Sequence, residues 1–148
     1  AQIAKRMRKL EAIQKVLPEP DVYAGGGTHR MIDGSWEPDK IDVLIVSWGS
    51  NKGVILDAIR SMDTPQKIAY MHYSYLWPLR TGWLQKYAKR AKKIILVEQN
   101  YQGQLGVLLK QQCGIDIPHK ILKYDGRPFF VDELAEKLLS SIFHLPST

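Results

Sequence analysis

The segment 94–109, which reads IILVEQNYQGQLGVLL, constrains the fold more than any other part of this chain. It begins with the apolar run 94–97, whose β-branched residues are typical of a strand buried on both faces. Leu105 and Leu109 follow at the spacing of an amphipathic helix. Between them, residues 98–104 are too polar to bury. We expect this turn at the carboxyl ends of parallel strands, where α/β folds usually meet ligands and partners.

The same alternation of strand and helix occurs four times in the last two thirds of the chain. Strands are predicted at 43–46, 68–73, 94–97 and 121–124. Because right-handed crossovers place helices on both faces of such a sheet, the sequence predicts a three-layer α/β fold with a mostly parallel sheet of four or five strands. We expect Ser50 to cap the first of these helices and Pro78 to lie in the first turn of the second.

The N-terminal part does not follow this alternation. Residues 3–17 place apolar side chains at helical spacing and basic side chains on the remaining surface, which predicts an amphipathic helix with a basic outer face. Residues 18–39 contain three consecutive glycines and show no clean period, which predicts an irregular connector with room for a short hairpin. We therefore divide the chain into a helix with a connector, 1–39, and an α/β domain, 40–148.

The composition excludes several classes of protein. No apolar run is long enough to cross a membrane, and the N-terminus lacks the apolar core of a signal peptide. The lone Cys113 excludes a disulfide framework and an iron–sulfur cluster held by this chain alone, and it suits a reducing cytoplasm. The net charge of +6 fits an acidic partner or simple solubility. Without a recognition motif, this charge does not predict a nucleic-acid binder.

The turn after the third predicted strand is the first candidate site. An amide pair and a tyrosine exceed what a simple turn requires, so we weigh a subunit contact against a hydrogen-bonded turn. The candidate contact residues are Glu98, Gln99, Asn100, Tyr101, Gly103 and Gln104.

The turn after the first predicted strand is the second candidate. A helix N-terminus at this place offers free amides and the positive end of a dipole to an anion or a partner's carboxylate, although a tight capped turn explains the same residues. The residues are Ser47, Gly49 and Ser50. The segment 25–28, which reads GGGT, has neither P-loop nor dinucleotide spacing, and we interpret it as a flexible loop.

A basic run without intervening acidic residues is the third candidate. It is either a solvated helix face or a patch for an acidic partner. Its members are Arg80, Lys86, Lys89, Arg90, Lys92 and Lys93.

Two segments carry a resemblance to a known family. Residues 97–105 (VEQNYQGQL) and 123–129 (KYDGRPF) resemble the C-terminal part of the alpha subunit of 2-oxoacid:ferredoxin oxidoreductases, most closely the 2-oxoglutarate type. Residues 5–10 (KRMRKL) and 46–50 (VSWGS) resemble the same subunit in the same order. Together these segments extend over most of the chain.

The resemblance implies a transketolase C-terminal-like domain. It also implies an enzyme complex that oxidatively decarboxylates a 2-oxoacid to its acyl-CoA and passes electrons to ferredoxin. That complex uses thiamine diphosphate, magnesium, iron–sulfur clusters and coenzyme A. The family's Gly-Asp-Gly motif is missing here, where only Asp33-Gly34 and Asp125-Gly126 occur. We therefore expect the isolated chain to bind none of these cofactors, to be inactive, and to dock the beta subunit of a cytoplasmic complex.

The residues considered without the resemblance leave a second hypothesis open. A free-standing α/β module could use the same strand ends to bind a small anion or a nucleotide.

Overall fold

The computed structural model describes residues 2–25, 27, 29–31 and 37–144. The strands in these residues are β1 (Asp21–Ala24), β2 (His29–Met31), β3 (Ile41–Trp48), β4 (Ile68–Tyr73), β5 (Ala91–Glu98) and β6 (His119–Leu122). The α-helices are α1 (Gln2–Val16), α2 (Lys52–Ser61), α3 (Gly82–Ala88), α4 (Gln104–Cys113) and α5 (Val131–Phe143). A one-turn 3₁₀ helix, Gly49–Asn51, precedes α2.

The strands form one sheet in the order β2-β1-β4-β3-β5-β6. The four strands expected from the sequence are the parallel ones, with β3 between β4 and β5, and β6 beside β5. The predicted α/β class with a mostly parallel sheet is therefore confirmed. The predicted strand number is too low, because the hairpin β1–β2 extends the sheet beyond β4, with β1 antiparallel to β4 and β2 antiparallel to β1. Short strands with few apolar residues give little periodic signal.

Both faces of the sheet are buried, which explains the continuous apolar runs of the central strands. Helices α2 and α5 pack on the face that carries Ile45, Tyr70 and Ile95. Helices α3 and α4 pack on the face that carries Leu44 and Leu96. The strands therefore have the three-layer arrangement that the sequence predicts.

The chain leaves β3 and β5 in different directions. The crossover through α2 leads from β3 to β4, whereas the crossover through α4 leads from β5 to β6 on the opposite face. The carboxyl ends of these two neighbouring strands therefore form a topological switch point, the usual position of a crevice in open α/β sheets.

Helix α1 does not bury the apolar stripe that the sequence predicts. None of its residues is buried, and Ile3 and Met7 are exposed. Two hydrogen bonds join α1 to the segment before α3: Gln14 Nε2 donates to the Leu79 carbonyl at 3.3 Å, and the Arg80 guanidinium donates to the Gln14 carbonyl at 2.6 Å.

Two local predictions are wrong. Ser50 does not cap a helix, because it lies inside the one-turn helix, and Asn51 occupies the cap position of α2 without a side-chain cap bond. Pro78 does not begin a helix, since α3 starts only at Gly82.

Some predictions fall outside the described residues. These include the Asp33-Gly34 turn and half of the glycine loop at 25–28. The boundary at residue 39 stays a prediction. In the described part of the chain, no helix is both long and apolar enough to span a membrane.

Candidate functional site

The polar turn after β5 is built around a buried carboxylate. Glu98 is fully buried. Its Oε1 accepts hydrogen bonds from Trp48 Nε1 at 2.7 Å and from Asn100 Nδ2 at 2.9 Å. The Leu105 amide, in the first turn of α4, donates to both carboxylate oxygens at 3.0 and 3.1 Å. The charge is tolerated because it is fully hydrogen-bonded and lies at the positive end of a helix dipole.

Asn100 fixes the remainder of this turn. Its Oδ1 accepts the backbone N–H of Gly103 at 2.6 Å and of Gln104 at 3.2 Å. Gly103 has φ of +65°, a conformation that favours glycine. Close packing of α4 also requires Gly106, because a Cβ there would lie 2.7 Å from Leu96 Cδ2. The sequence therefore specifies the shape of this turn in detail.

The burial of Glu98 and Gly103 corrects part of the predicted contact surface. Neither residue is available to a partner in this chain, because both lie inside the turn. The idea that this segment is too polar to bury fails for Glu98, since backbone and side-chain donors compensate its charge. The sequence gives no periodic signal for such compensation.

The exposed part of the turn is aromatic and polar. Tyr101 is 72% exposed, and its ring meets the edge of the Tyr124 ring, which is 63% exposed, with centroids 5.0 Å apart. Gln99 and Gln104 are also exposed, and Gln99 Nε2 donates to the Arg127 carbonyl at 3.3 Å. We call Gln99, Tyr101, Gln104 and Tyr124 the crest. Tyr124 was not among the predicted contacts, although it lies in the KYDGRPF segment.

The three residues predicted at the turn after β3 do not form one site. Ser47 is fully buried on the α2 face, where its Oγ lies 2.6 Å from the Tyr70 hydroxyl. Gly49 and Ser50 lie instead at the strand ends, and Ser50 is exposed. Ser47 therefore cannot contact a ligand at the turn.

A small pocket opens at the switch point between β3 and β5. Its volume is about 260 Å³. Its lining residues are Trp48, Gly49, Ser50, Asn51, Gln99 and Asn100. Asn51, which directly follows Ser50, is not among the residues predicted for this turn.

The buried His72 holds one wall of this pocket. Its Nε2 lies 2.8 Å from the Gly49 carbonyl oxygen, and because a carbonyl only accepts, Nε2 carries the proton. Burial lowers the pKa of His72, and Lys52 adds to this effect, while the Gly49 bond and Asp21 oppose it. Burial likewise raises the pKa of the Tyr70 phenol. Both groups are therefore neutral near pH 7.

Most of the basic run is paired within the chain. The ion pairs are Arg80–Glu19, Lys86–Glu37, Arg90–Glu37 and Lys92–Asp42. Lys93 donates to the Ser141 carbonyl at 2.7 Å, at the C-terminal end of α5, where a cation is favourable. Lys89 is exposed and has no ion pair among the described residues. The run extends over α3 and β5, so it is not one helix face.

The described residues do not fit a metal or an iron–sulfur cluster. They contain no group of three His, Cys, Asp or Glu side chains that could hold a metal ion. Cys113 is a free thiol whose Sγ donates to the Leu109 carbonyl at 3.2 Å.

Curated proteins of one kind match most of the chain. The alpha subunit of a 2-oxoacid:ferredoxin oxidoreductase from Saccharolobus solfataricus is 36% identical over 137 residues, which is 89% of this chain and 20% of that protein. The subunit from Aeropyrum pernix is 30% identical over 141 residues, with 93% and 20% covered. The 2-oxoglutarate oxidoreductase subunit KorA of Mycobacterium tuberculosis is 28% identical over 120 residues, with 75% and 18% covered. The chain therefore spans about a fifth of the length of these relatives.

Solved structures show the same fold. The 2-oxoglutarate:ferredoxin oxidoreductase from Magnetococcus marinus, solved with 2-oxoglutarate, coenzyme A and succinyl-CoA bound, superposes with a TM-score of 0.76 at 23% identity, covering 95% of this chain and 23% of that one. The alpha chain of a probable 2-oxoacid ferredoxin oxidoreductase from Thermoplasma acidophilum gives 0.51 at 27% identity, covering 84% and 97%. No family model matches the sequence.

Proposed function

Because this chain belongs to the alpha-subunit family of 2-oxoacid:ferredoxin oxidoreductases and matches the C-terminal part of that subunit, we propose that it docks a neighbouring subunit of such a complex. The complex oxidatively decarboxylates a 2-oxoacid to its acyl-CoA and transfers the electrons to ferredoxin. Two matched proteins are named for 2-oxoglutarate, which favours 2-oxoglutarate as the substrate.

In this proposal, the chain itself performs no chemistry. Thiamine diphosphate with magnesium supplies the carbanion chemistry when bound elsewhere in the complex, and coenzyme A and the iron–sulfur clusters also belong to other parts. The absence of a Gly-Asp-Gly motif and of a metal-ligand group in the described residues supports this division of roles. The single free cysteine is compatible with the cytoplasmic location that we assign to the complex.

The main support for the docking role is that Tyr101 and Tyr124 form an exposed aromatic pair. Two large aromatic rings in edge-to-face contact remain exposed on a turn that Glu98 and Asn100 hold rigidly. Tyrosine is enriched among the residues that dominate interface energies, because it gives large contact area at low entropic cost. A rigid turn adds to this advantage, since little of it must be ordered on binding.

A substitution at Tyr101 tests the docking role. In the full alpha subunit, Tyr101→Ala should weaken assembly with the beta subunit about 5- to 30-fold, the scale of an interface anchor. Phe143→Ala is the matched control, because Phe143 is similarly exposed but lies at the C-terminal end of α5. That end contacts Lys93 near the start of β5, whereas the crest follows the end of β5. Normal assembly of the Tyr101 variant, or equal losses in both variants, would refute the role of the crest.

The recruitment of ferredoxin through the basic run is a separate proposal. Five of the six basic residues have partners within the chain, and Lys89 has no ion pair among the described residues. Lys92 is paired with Asp42 but remains exposed, so Lys89 and Lys92 are the members most accessible to a partner. An acidic carrier would be attracted to this charge mainly at low ionic strength.

A further inference from the structure

The pocket between β3 and β5 contains a side chain whose hydrogen-bonding capacity is unused. Asn51 is only 5% exposed and lines the pocket. It occupies the cap position of α2, yet it forms no cap bond, and its amide has no hydrogen-bond partner in the described part of the chain. Because Asn51 lines the pocket, an occupant that accepts hydrogen bonds could use its amide N–H groups.

The surroundings of Asn51 favour a negative group. The one-turn helix lines this pocket and continues directly into α2, so the positive end of the α2 dipole lies on this side of the pocket. The exposed Ser50 also lines the pocket. Donors to both of its oxygens partly offset the negative charge of the nearby Glu98 carboxylate.

The charge of the lining limits the kind of anion. Neither lysine nor arginine lines the pocket. Lys52, the nearest lysine along the chain, extends its Nζ to Asp21 Oδ2 at 2.7 Å. A phosphate dianion would therefore lack a compensating cation, whereas a monoanion needs only the hydrogen-bond donors and the helix dipole.

We propose that this pocket binds a single carboxylate group, with the Asn51 amide as its donor and the positive end of the α2 dipole as its electrostatic support. The carboxylate belongs either to a small carboxylic acid or to an acidic side chain of a neighbouring subunit. This proposal does not depend on the crest as a docking surface.

Two buried groups hold the walls of the pocket in place. His72 Nε2 donates to the Gly49 carbonyl, and Glu98 accepts the Trp48 indole N–H. Gly49 has φ of +70°, which keeps the turn in a conformation that other residues rarely adopt. His72 and Glu98 are therefore positioning residues, since they act on the pocket through Gly49 and Trp48.

Titration of the isotope-labelled protein with sodium acetate tests the proposal. The amide resonances of residues 49–53 should shift and saturate with a dissociation constant of about 1–10 mM, the range of a single small anion. Inorganic phosphate should bind more weakly. Absence of a saturable shift at these amides, or tighter binding of phosphate than of acetate, would overturn the proposal.

Substitutions of Asn51 test the assigned donor. Asn51→Asp should weaken acetate binding at least about tenfold, because its own carboxylate then occupies the positive end of α2. Asn51→Ser, which loses the amide, should weaken it less. Both residues are favoured at helix caps, so both variants should fold. Gln85→Glu adds the same charge on an exposed face of α3 and should bind acetate normally. Unchanged binding by the Asn51→Asp variant would remove the assignment.

Assembly of the full complex distinguishes the two sources of the carboxylate. If an acidic side chain of another subunit occupies the pocket, Asn51→Asp should weaken assembly as well as acetate binding. If a small acid is the ligand, the variant should assemble normally and lose only acetate binding. Tyr101→Ala should leave acetate binding intact in both cases, so failure of the crest proposal and failure of the carboxylate proposal are separable.

Discussion

The Trp48 indole donates a 2.7 Å hydrogen bond to the Glu98 carboxylate, and this bond joins the last residues of β3 and β5. Glu98 also accepts from Asn100 and from the first turn of α4. One buried side chain thereby supports both the crest and the pocket at the switch point. The two proposed binding surfaces share this structural basis, although they use different residues.

Removal of this carboxylate should destabilise the domain strongly. Glu98→Ala leaves the Trp48 indole N–H and the Leu105 amide buried without partners, so the free energy of unfolding should fall by about 3–5 kcal/mol. Urea denaturation measures the loss. Glu136→Ala, at an exposed position of α5, is the control and should change the value by less than about 0.5 kcal/mol. Similar losses in both variants would contradict a supporting role for Glu98.

His72 should make the stability depend on pH. Its pKa in the folded chain lies below the usual value of about 6.5, mainly because it is buried. The unfolded chain therefore takes up a proton first as the pH falls. The contribution of His72 is complete above about pH 6.5 and is lost toward lower pH, with a slope of at most about 1.4 kcal/mol per pH unit.

Denaturation of variants at pH 7 and pH 5.5 measures this slope. His72→Gln retains a side-chain N–H for the Gly49 carbonyl and cannot titrate, so its stability should change less between the two values than that of the unaltered chain. The same substitution at His119 on β6 is the control and should keep the original difference. If His72→Gln retains the full difference, other groups cause the pH dependence.

Arg80 should hold α1 against the sheet domain. Its guanidinium donates to Glu19 Oε1 at 2.6 and 3.0 Å and to the Gln14 carbonyl. A 15-residue helix with no buried side chain is marginal by itself in water. Arg80→Met should therefore accelerate hydrogen exchange of the α1 amides at least about tenfold. Arg60→Met on α2 serves as the control. If the α1 amides remain equally protected in the Arg80 variant, other contacts hold α1 against the sheet domain.

For the basic run we expect a smaller effect of substitution, because most of its charge is paired. Reversal of Lys89 and Lys92 to Glu should slow association of the full complex with ferredoxin about 2- to 5-fold at low salt, and the effect should disappear at about 0.5 M salt. Stopped-flow measurements at both salt concentrations provide the comparison. If the variant and the unaltered complex associate with ferredoxin at equal rates at low salt, the basic run is only a solvated surface.

The sequence predicts the central units well because their signals are local. The run 94–97 and the helical spacing after it place β5 and α4 within a few residues of their observed bounds. The hairpin β1–β2 is missed as part of the sheet because its pairing with β4 joins residues about 50 positions apart. Local periodicity contains no information about such pairings.

Charge compensation between residues that are distant along the chain is the second feature that the sequence does not predict. The basic run appears free in the sequence because its partners lie elsewhere: Glu37 pairs with Arg90, which is 53 residues away. Glu98 appears solvent-exposed for the same reason, since its donors include Trp48, 50 residues earlier. The resemblance to the oxidoreductase family identifies the subunit, whereas only the three-dimensional arrangement separates the exposed Tyr101 from the buried Glu98.

Hydrogen exchange of the alpha subunit before and after assembly tests the central claim, the docking role of the crest, most directly. The amides of Gly103 and Gln104 are already bonded to Asn100, so the informative reporters are Tyr101, Gln102 and Tyr124. We predict that exchange at these amides slows at least about tenfold on assembly with the beta subunit, whereas exchange near Phe143 does not change. Unchanged exchange at Tyr101, Gln102 and Tyr124 in a fully assembled complex would contradict the claim.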